Sequence, residues 1–283
     1  MKNKFLIIGG DLRQILCGEC LIKNGYEVSF CGFSHNFLKE HKEASNLKKD
    51  MENSDFILLP LPLTCDNEYI NTPLSDKKIA LTEIYEYLTD KHLVFGGMIT
   101  KDFIAGANIN KIFDYAKNEE FLIKNALITA EGAFNIIFSE TPFSVFGSRV
   151  LILGYGRIGK IMAPLFSAFG GLVTVAARKL EDLTWISANG YSPAKYSDLP
   201  DIAGEFDIIV NTVPARIFTE ELINKLNKSC LLLDLASKPG GIDFDAAKKA
   251  SVKAIWALSL PGKTSPYSSG KIICDTILNL IEG

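Results

Sequence analysis

The sequence predicts two doubly wound parallel-sheet α/β domains joined by a connecting helix. Short apolar runs alternate with helical stretches along the whole chain, and a glycine-rich turn stands between one such run and a helix in mid-chain. In the first half the order is strand KFLIIGG, helix LRQILCGECLIKNG, strand YEVSFCGF, a polar stretch from Ser34 to Asn53, and strand DFILLPLPL. A helix around Leu81 to Leu88, strand HLVFGG and a helical or turn region ending near Asn110 follow, so residues 1–125 are expected to form the first domain. AEGAFNIIFSE, residues 130–140, reads as the connecting helix. The second series runs RVLILG, helix RIGKIMAPLFSAFG, LVTVAAR, a helix through Leu183 to Ala188, FDIIVNTVP, helix TEELINKL, CLLLDLAS, helix DFDAAKKA and VKAIWALS. That makes five strands linked by right-handed crossovers in a domain expected over residues 126–267, with an apolar-faced helix in 268–283 packing back on the first.

Formal charge is −3 and no run of five like charges occurs, which argues against nucleic acid or an anionic membrane and for a small-molecule ligand. The first apolar run, Phe5 to Ile8, ends at Gly9, far short of a signal-peptide core or a membrane span, so a cytoplasmic location is expected. Six cysteines fit that compartment as reduced thiols. Cys17 and Cys20 form a C-x-x-C well inside a helix rather than at its N-terminus, so they read as inert thiols, and no metal site is expected.

Gly154-Tyr155-Gly156-Arg157-Ile158-Gly159 follows one strand and opens a helix. Gly154 suits a tight turn, Gly156 lets a pyrophosphate approach the backbone, and Gly159 lets helix and strand pack closely. A dinucleotide is therefore expected on the amides at the helix N-terminus. At the end of the next strand Ala177 stands where a carboxylate would select an unphosphorylated ribose, and Arg178 and Lys179 follow. Without that repulsion, and with a guanidinium fork at hand, the site reads as one for NADP; the competing reading makes Arg178 a solvated loop cation. The first domain has only a degenerate version, Gly9-Gly10-Asp11-Leu12-Arg13-Gln14, which lacks the third glycine and puts an acid, Asp11, into the phosphate turn, where it opposes a pyrophosphate. That domain is read as the substrate half: Arg13 and Gln14 face the substrate, or Asp11 is a helix cap and Arg13 a solvated cation.

Ligands of such sheets bind beyond the carboxyl ends of the strands. There the sequence places Asn211-Thr212-Val213-Pro214, Leu235 and Ala236 for the cofactor, and Ser237, Lys238, Lys263, Thr264 and Ser265 as donors to a substrate bearing carboxylates. Thr129 and Glu131 either face the nicotinamide and substrate or form the start of the connecting helix, with Thr129 as its cap. Two-domain 2-hydroxy-acid dehydrogenases need a histidine in the nucleotide domain, but His35, His41 and His92 all lie in the first half. Tyr191 to Lys195 spells the short-chain dehydrogenase pair, yet Pro193 interrupts the helix that would align it.

The ordered set IIGGDLRQ, TAEGA, GYGRIGK, AARK, NTVPA, LDLASKPGGIDF and LPGKTSP resembles the A-subunit family of dipicolinate synthases from spore-forming bacteria, over essentially the whole chain. The resemblance implies a two-domain Rossmann-like, NADP-dependent oxidoreductase that works with a flavoprotein B-subunit in the mother cell during sporulation. It implies oxidation of dihydrodipicolinate to dipicolinate, pyridine-2,6-dicarboxylate. Aromatising that ring requires loss of a hydride and a proton; Glu131 and Asp11 are the candidate catalytic bases, with water as the alternative. Two other readings stay open: a non-catalytic NADP-binding or scaffolding component for the flavoprotein, and a reductase of another dicarboxylate imine. The sequence permits a homo-oligomer without specifying one.

Overall fold

The computed structural model describes residues 3–38, 41–44 and 46–282. The basic start at residues 1 and 2, and positions 39, 40 and 45 of the polar Ser34–Asn53 stretch, lie outside the described residues. The chain divides into two compact units, one of residues 1–125 with 262–283 and the other of residues 126–261.

The first unit holds β1 (Lys4–Ile8), β2 (Glu27–Cys31), β3 (Phe56–Leu58), β4 (Leu93–Gly96) and β5 (Ile112–Asp114), all parallel, in the order β2-β1-β3-β4-β5. Side chains alternate between two buried faces. Phe5 and Ile7 pack with Phe30, Phe56 and Leu58 on one side, while Leu6 and Ile8 pack with Ile57 and Val94 on the other. β3 is shorter than its apolar run because Pro60 and Pro62 cannot donate to a ladder. β5, too short to show a period in the sequence, closes the edge. The Leu12–Lys23 helix covers one face of the sheet, and the Pro266–Glu282 helix lies against it.

The helix expected over 130–140 spans Glu119–Glu140. Asn118 starts it, its side-chain oxygen accepting the Phe121 amide at 3.0 Å, so Thr129 lies within the helix and is not its cap. By length and composition this helix is apolar enough to cross a bilayer, but Ala130, Ala133, Phe134 and Ile137 are buried in the core of the second unit, as in a core helix.

The second unit has six strands rather than five: β6 (Arg149–Leu153), β7 (Leu172–Ala177), β8 (Ser192–Lys195), β9 (Ile208–Asn211), β10 (Leu231–Asp234) and β11 (Lys253–Trp256). β8 contains Pro193 and sits at the sheet edge, the place where a missing ladder donor is tolerated. Tyr191–Lys195 is therefore an edge-strand segment, not a helix. The order β11-β10-β9-β6-β7-β8 steps outward from β6 to β8, then returns to lay β9 on the other flank of β6. That reversal leaves a crevice at the carboxyl ends of β6 and β9.

Candidate functional site

The six-residue glycine turn begins where β6 ends. Gly154 has φ +94°, and a Cβ there would lie 2.6 Å from Thr212 Oγ1. A Cβ on Gly159 would meet the Gly154 carbonyl oxygen at 2.0 Å, so strand and helix approach as closely as two backbones allow. Gly156 differs: its Cβ would meet nothing within 4 Å, and as N-cap of the Arg157–Ala168 helix it supplies no side-chain cap. The first-turn amides of that helix thus have no side-chain acceptor from Gly156 and face open space, the form a pyrophosphate cradle takes. Tyr155 packs beside the turn, its hydroxyl 3.4 Å from Asn189 Nδ2; burial, with Tyr191 and Asp182 nearby, raises its pKa. Arg157 is exposed and Ile158 half-buried at the start of the helix.

At the end of β7 Ala177 is buried and Arg178 exposed, with no hydrogen bond or ion pair for Arg178 among the described residues. Tyr196 feels its charge, although burial dominates and raises that phenol's pKa. Lys179 lies 3.5 Å from Glu181. Lys195 pairs with Ala177 across β7 and β8, a second cation at this strand end that stays hidden unless β8 is recognised as a strand.

The loops after β9 and β10 are tied together by Asp234, a fully buried carboxylate that sequence reasoning missed. It accepts Asn211 Nδ2 at 2.8 Å, the Ala236 amide at 3.0 Å and the Gly241 amide at 2.7 Å. Asn211 Nδ2 also reaches the Val213 carbonyl at 3.0 Å, and Thr212 Oγ1 donates to the Leu153 carbonyl at 2.7 Å. Gly240 at φ +81° and Gly241 let the loop fold back, since a Cβ on Gly241 would lie 2.2 Å from Asn211 Nδ2. Trp256 Nε1 donates to the Ala236 carbonyl at 3.0 Å. Leu235 and Ala236 are buried under this loop, whereas Pro214, Ser237 and Lys238 are exposed on it. An Asp at the end of an apolar run followed by two glycines was the signal.

The expected substrate residues divide between the units. Asp11 caps the Leu12–Lys23 helix and clamps Arg13: its oxygens lie 2.9 and 3.1 Å from Arg13 Nε and 2.9 Å from Nη2. Arg13 Nη2 also donates to the Leu61 carbonyl at 2.6 Å and the residue is buried, so it is not a solvated cation. Gln14 Oε1 accepts the Asp11 amide at 3.0 Å, and Gln14 Nε2 is buried with no hydrogen-bond partner. Lys263, Thr264 and Ser265 belong to the first unit; Lys263 and Thr264 close a short helix, Leu260–Thr264, where a loop was expected. A Cβ on Gly262 would lie 2.9 Å from Arg13 Nε, which brings this segment onto the Asp11–Arg13 pair. Thr129 is buried and Glu131 exposed on the second-unit part of the long helix.

Residues 4–113 match the N-terminal domain of the dipicolinate synthase A-subunit. Over 285 aligned residues the chain is 30% identical to the dipicolinate synthase A-subunit of Bacillus subtilis (strain 168), covering 98% of this chain and 95% of that protein. The chain belongs to the dipicolinate synthase A-subunit family. The crystal structure of the dipicolinate synthase A-subunit from Bacillus halodurans superposes with a TM-score of 0.90 at 29% identity, covering 99% of this chain and 98% of that one. The resemblance read from the ordered motifs therefore holds. Residues 130–229 match the NAD-binding domain of D-isomer specific 2-hydroxyacid dehydrogenases, so the open cradle belongs to a nicotinamide-dinucleotide-binding dehydrogenase domain. No histidine falls in that span, which leaves the hydroxy-acid reaction without its usual proton acceptor. Over 93 residues the chain is also 31% identical to NADP-dependent alcohol dehydrogenase C 1 of Mycolicibacterium smegmatis, covering 31% of this chain and 27% of that protein.

Proposed function

We propose that the chain oxidises dihydrodipicolinate to dipicolinate with NADP as hydride acceptor, in partnership with a flavoprotein B-subunit. The observation that carries this reading is the uncapped, open turn at Gly156 with Ala177 and the unpaired Arg178 at the next strand end. Bound there, the nicotinamide supplies two-electron chemistry. The chain supplies backbone amides for the pyrophosphate, the Arg178 guanidinium for a 2′-phosphate, and the Asp234-braced loops after β9 and β10, the first of which borders the crevice between β6 and β9. The partial likeness to a protein named as NADP-dependent supports the same choice of nucleotide. Carboxylates of the ring call for charge-assisted donors; the second unit offers Ser237 and Lys238, and the first unit, by itself, offers Lys263, Thr264 and Ser265 beside the buried Arg13 and Gln14. Of the two proposed bases, Asp11 has both oxygens committed to Arg13, whereas exposure leaves Glu131 accessible to a proton, which favours it as the base.

Titration with each nucleotide tests the cofactor assignment. Arg178→Ala weakens NADPH binding roughly ten- to hundredfold, the worth of one or two charge-assisted hydrogen bonds, and leaves NADH unchanged; an unaltered preference in that variant refutes it. The absence of a histidine from 130–229 favours a second reading, in which the chain binds the nucleotide and the flavoprotein performs the chemistry. Following NADPH absorbance with dihydrodipicolinate and NADP⁺ separates the two: turnover by this chain alone supports catalysis here, and turnover only after the flavoprotein is added supports the second.

A further inference from the structure

The Cys17-x-x-Cys20 pair acquires a neighbour from the opposite end of the chain. Gly270 makes this possible. A Cβ there would lie 2.7 Å from the Arg13 carbonyl and 2.9 Å from the Cys17 amide, so the Pro266–Glu282 helix comes down onto the Leu12–Lys23 helix at near-backbone contact. One turn further on, Cys274 enters the same layer as Cys17 and Cys20, and Asp275 follows it. Donor atoms of Cys20, Cys274 and Asp275 all lie within 4.8 Å of one another. Ligands at the corners of a zinc tetrahedron stand about 3.5–4 Å apart, so modest side-chain adjustment closes this set around one ion. Cys17 is fully buried behind Cys274, while Cys20 and Asp275 are half-buried and open the cluster toward water.

We propose that Cys20, Cys274 and Asp275 bind a thiophilic divalent cation of the zinc class, with water in the fourth position. Two thiolates and one carboxylate select zinc-like ions over magnesium or calcium, which require oxygen ligands. The carboxylate also distinguishes the cluster from a simple thiol pair, since a disulfide has no use for it. One group competes. Lys271 Nζ lies 2.8 Å from Asp275 Oδ2, but its side chain is largely exposed and free to swing into solvent. The site lies wholly within the first unit, is independent of the nucleotide assignment, and is structural in kind: the ion would pin the C-terminal helix to the first helix.

The test uses the full-length reduced protein, stripped with chelator, reloaded with zinc and passed through gel filtration before metal analysis, with cobalt(II) as spectroscopic probe. One zinc per chain and a thiolate-to-cobalt charge-transfer band are expected in the wild type and in Cys65→Ser, whose thiol is exposed and outside the cluster. Cys20→Ser loses both, Asp275→Asn weakens binding roughly tenfold, and Lys271→Ala binds more tightly. Cys20 and Asp275 are half-buried, so these variants report even if Cys274→Ser fails to fold. Metal-free wild-type protein after reloading, full retention by Cys20→Ser, or a Cys20–Cys274 disulfide found by alkylation and mass spectrometry before reduction overturns the proposal.

Discussion

Each unit opens with the same local plan, a strand, a turn beginning with a left-handed glycine, and a helix, yet only one of the two turns is empty. Gly9 at φ +68° corresponds to Gly154 at φ +94°, Asp11 takes the N-cap position held by Gly156, and Gln14 takes the position of Gly159. The first glycine is crowded in both turns, Gly9 by Ile70 and Gly154 by Thr212; what differs is that a Cβ on Gly10 would strike the Gln14 side chain, whereas one on Gly156 would meet nothing within 4 Å. Asp11 and Gln14 form a reciprocal capping box, so the helix satisfies its own first amides. In the second unit the cap is Gly156, which has no side chain to offer them. The same strand-turn-helix plan serves as a ligand cradle or as a structural joint according to whether the capping residue brings its own anion.

That contrast can be broken from either side. The largest effect is expected from Asp11→Ala, which removes a helix cap and leaves the buried Arg13 guanidinium without its counter-ion. It should cost about 3–5 kcal/mol in chemical denaturation. Gly156→Asp installs the first unit's solution in the second: an internal carboxylate then competes with pyrophosphate, and calorimetry should show dinucleotide binding weakened roughly a hundredfold, with the thermal midpoint held or raised. Binding that survives in this variant would mean the helix amides do not carry the phosphates. Smallest is Gln14→Met. It loses one capping hydrogen bond but also removes a buried amide nitrogen without a partner, so stability should stay within about 1 kcal/mol of wild type; a larger loss would show that Nε2 makes a contact in solution.

Much of this was legible before any coordinates. Apolar alternation marked nine of the strands, and the glycine spacing marked the mid-chain turn, because both depend on residues within a few positions of one another. β5 and β8 escaped because strands of three and four residues hold too little of a period to register, and Pro193 disguised the second. The long helix was read as starting too late because its cap, Asn118, precedes acidic and mixed residues that carry no clear apolar stripe. Asp234 gave a weaker signal still, since a carboxylate closing an apolar strand looks like the edge of a surface loop, and only the fold shows three donors converging on it.

The sequence by itself determined the alternating architecture, the three glycines and the missing acid at Ala177, all of which follow from covalent neighbours, side-chain volume and backbone freedom. Tertiary structure alone decided which carboxylates are buried, and that Cys274 stands beside Cys20. Whether a space is filled or a charge is met depends on groups brought in from elsewhere along the chain, by the Leu61 carbonyl on Arg13 and by Gly270 between two helices. Packing sets those distances, and no local spacing encodes them.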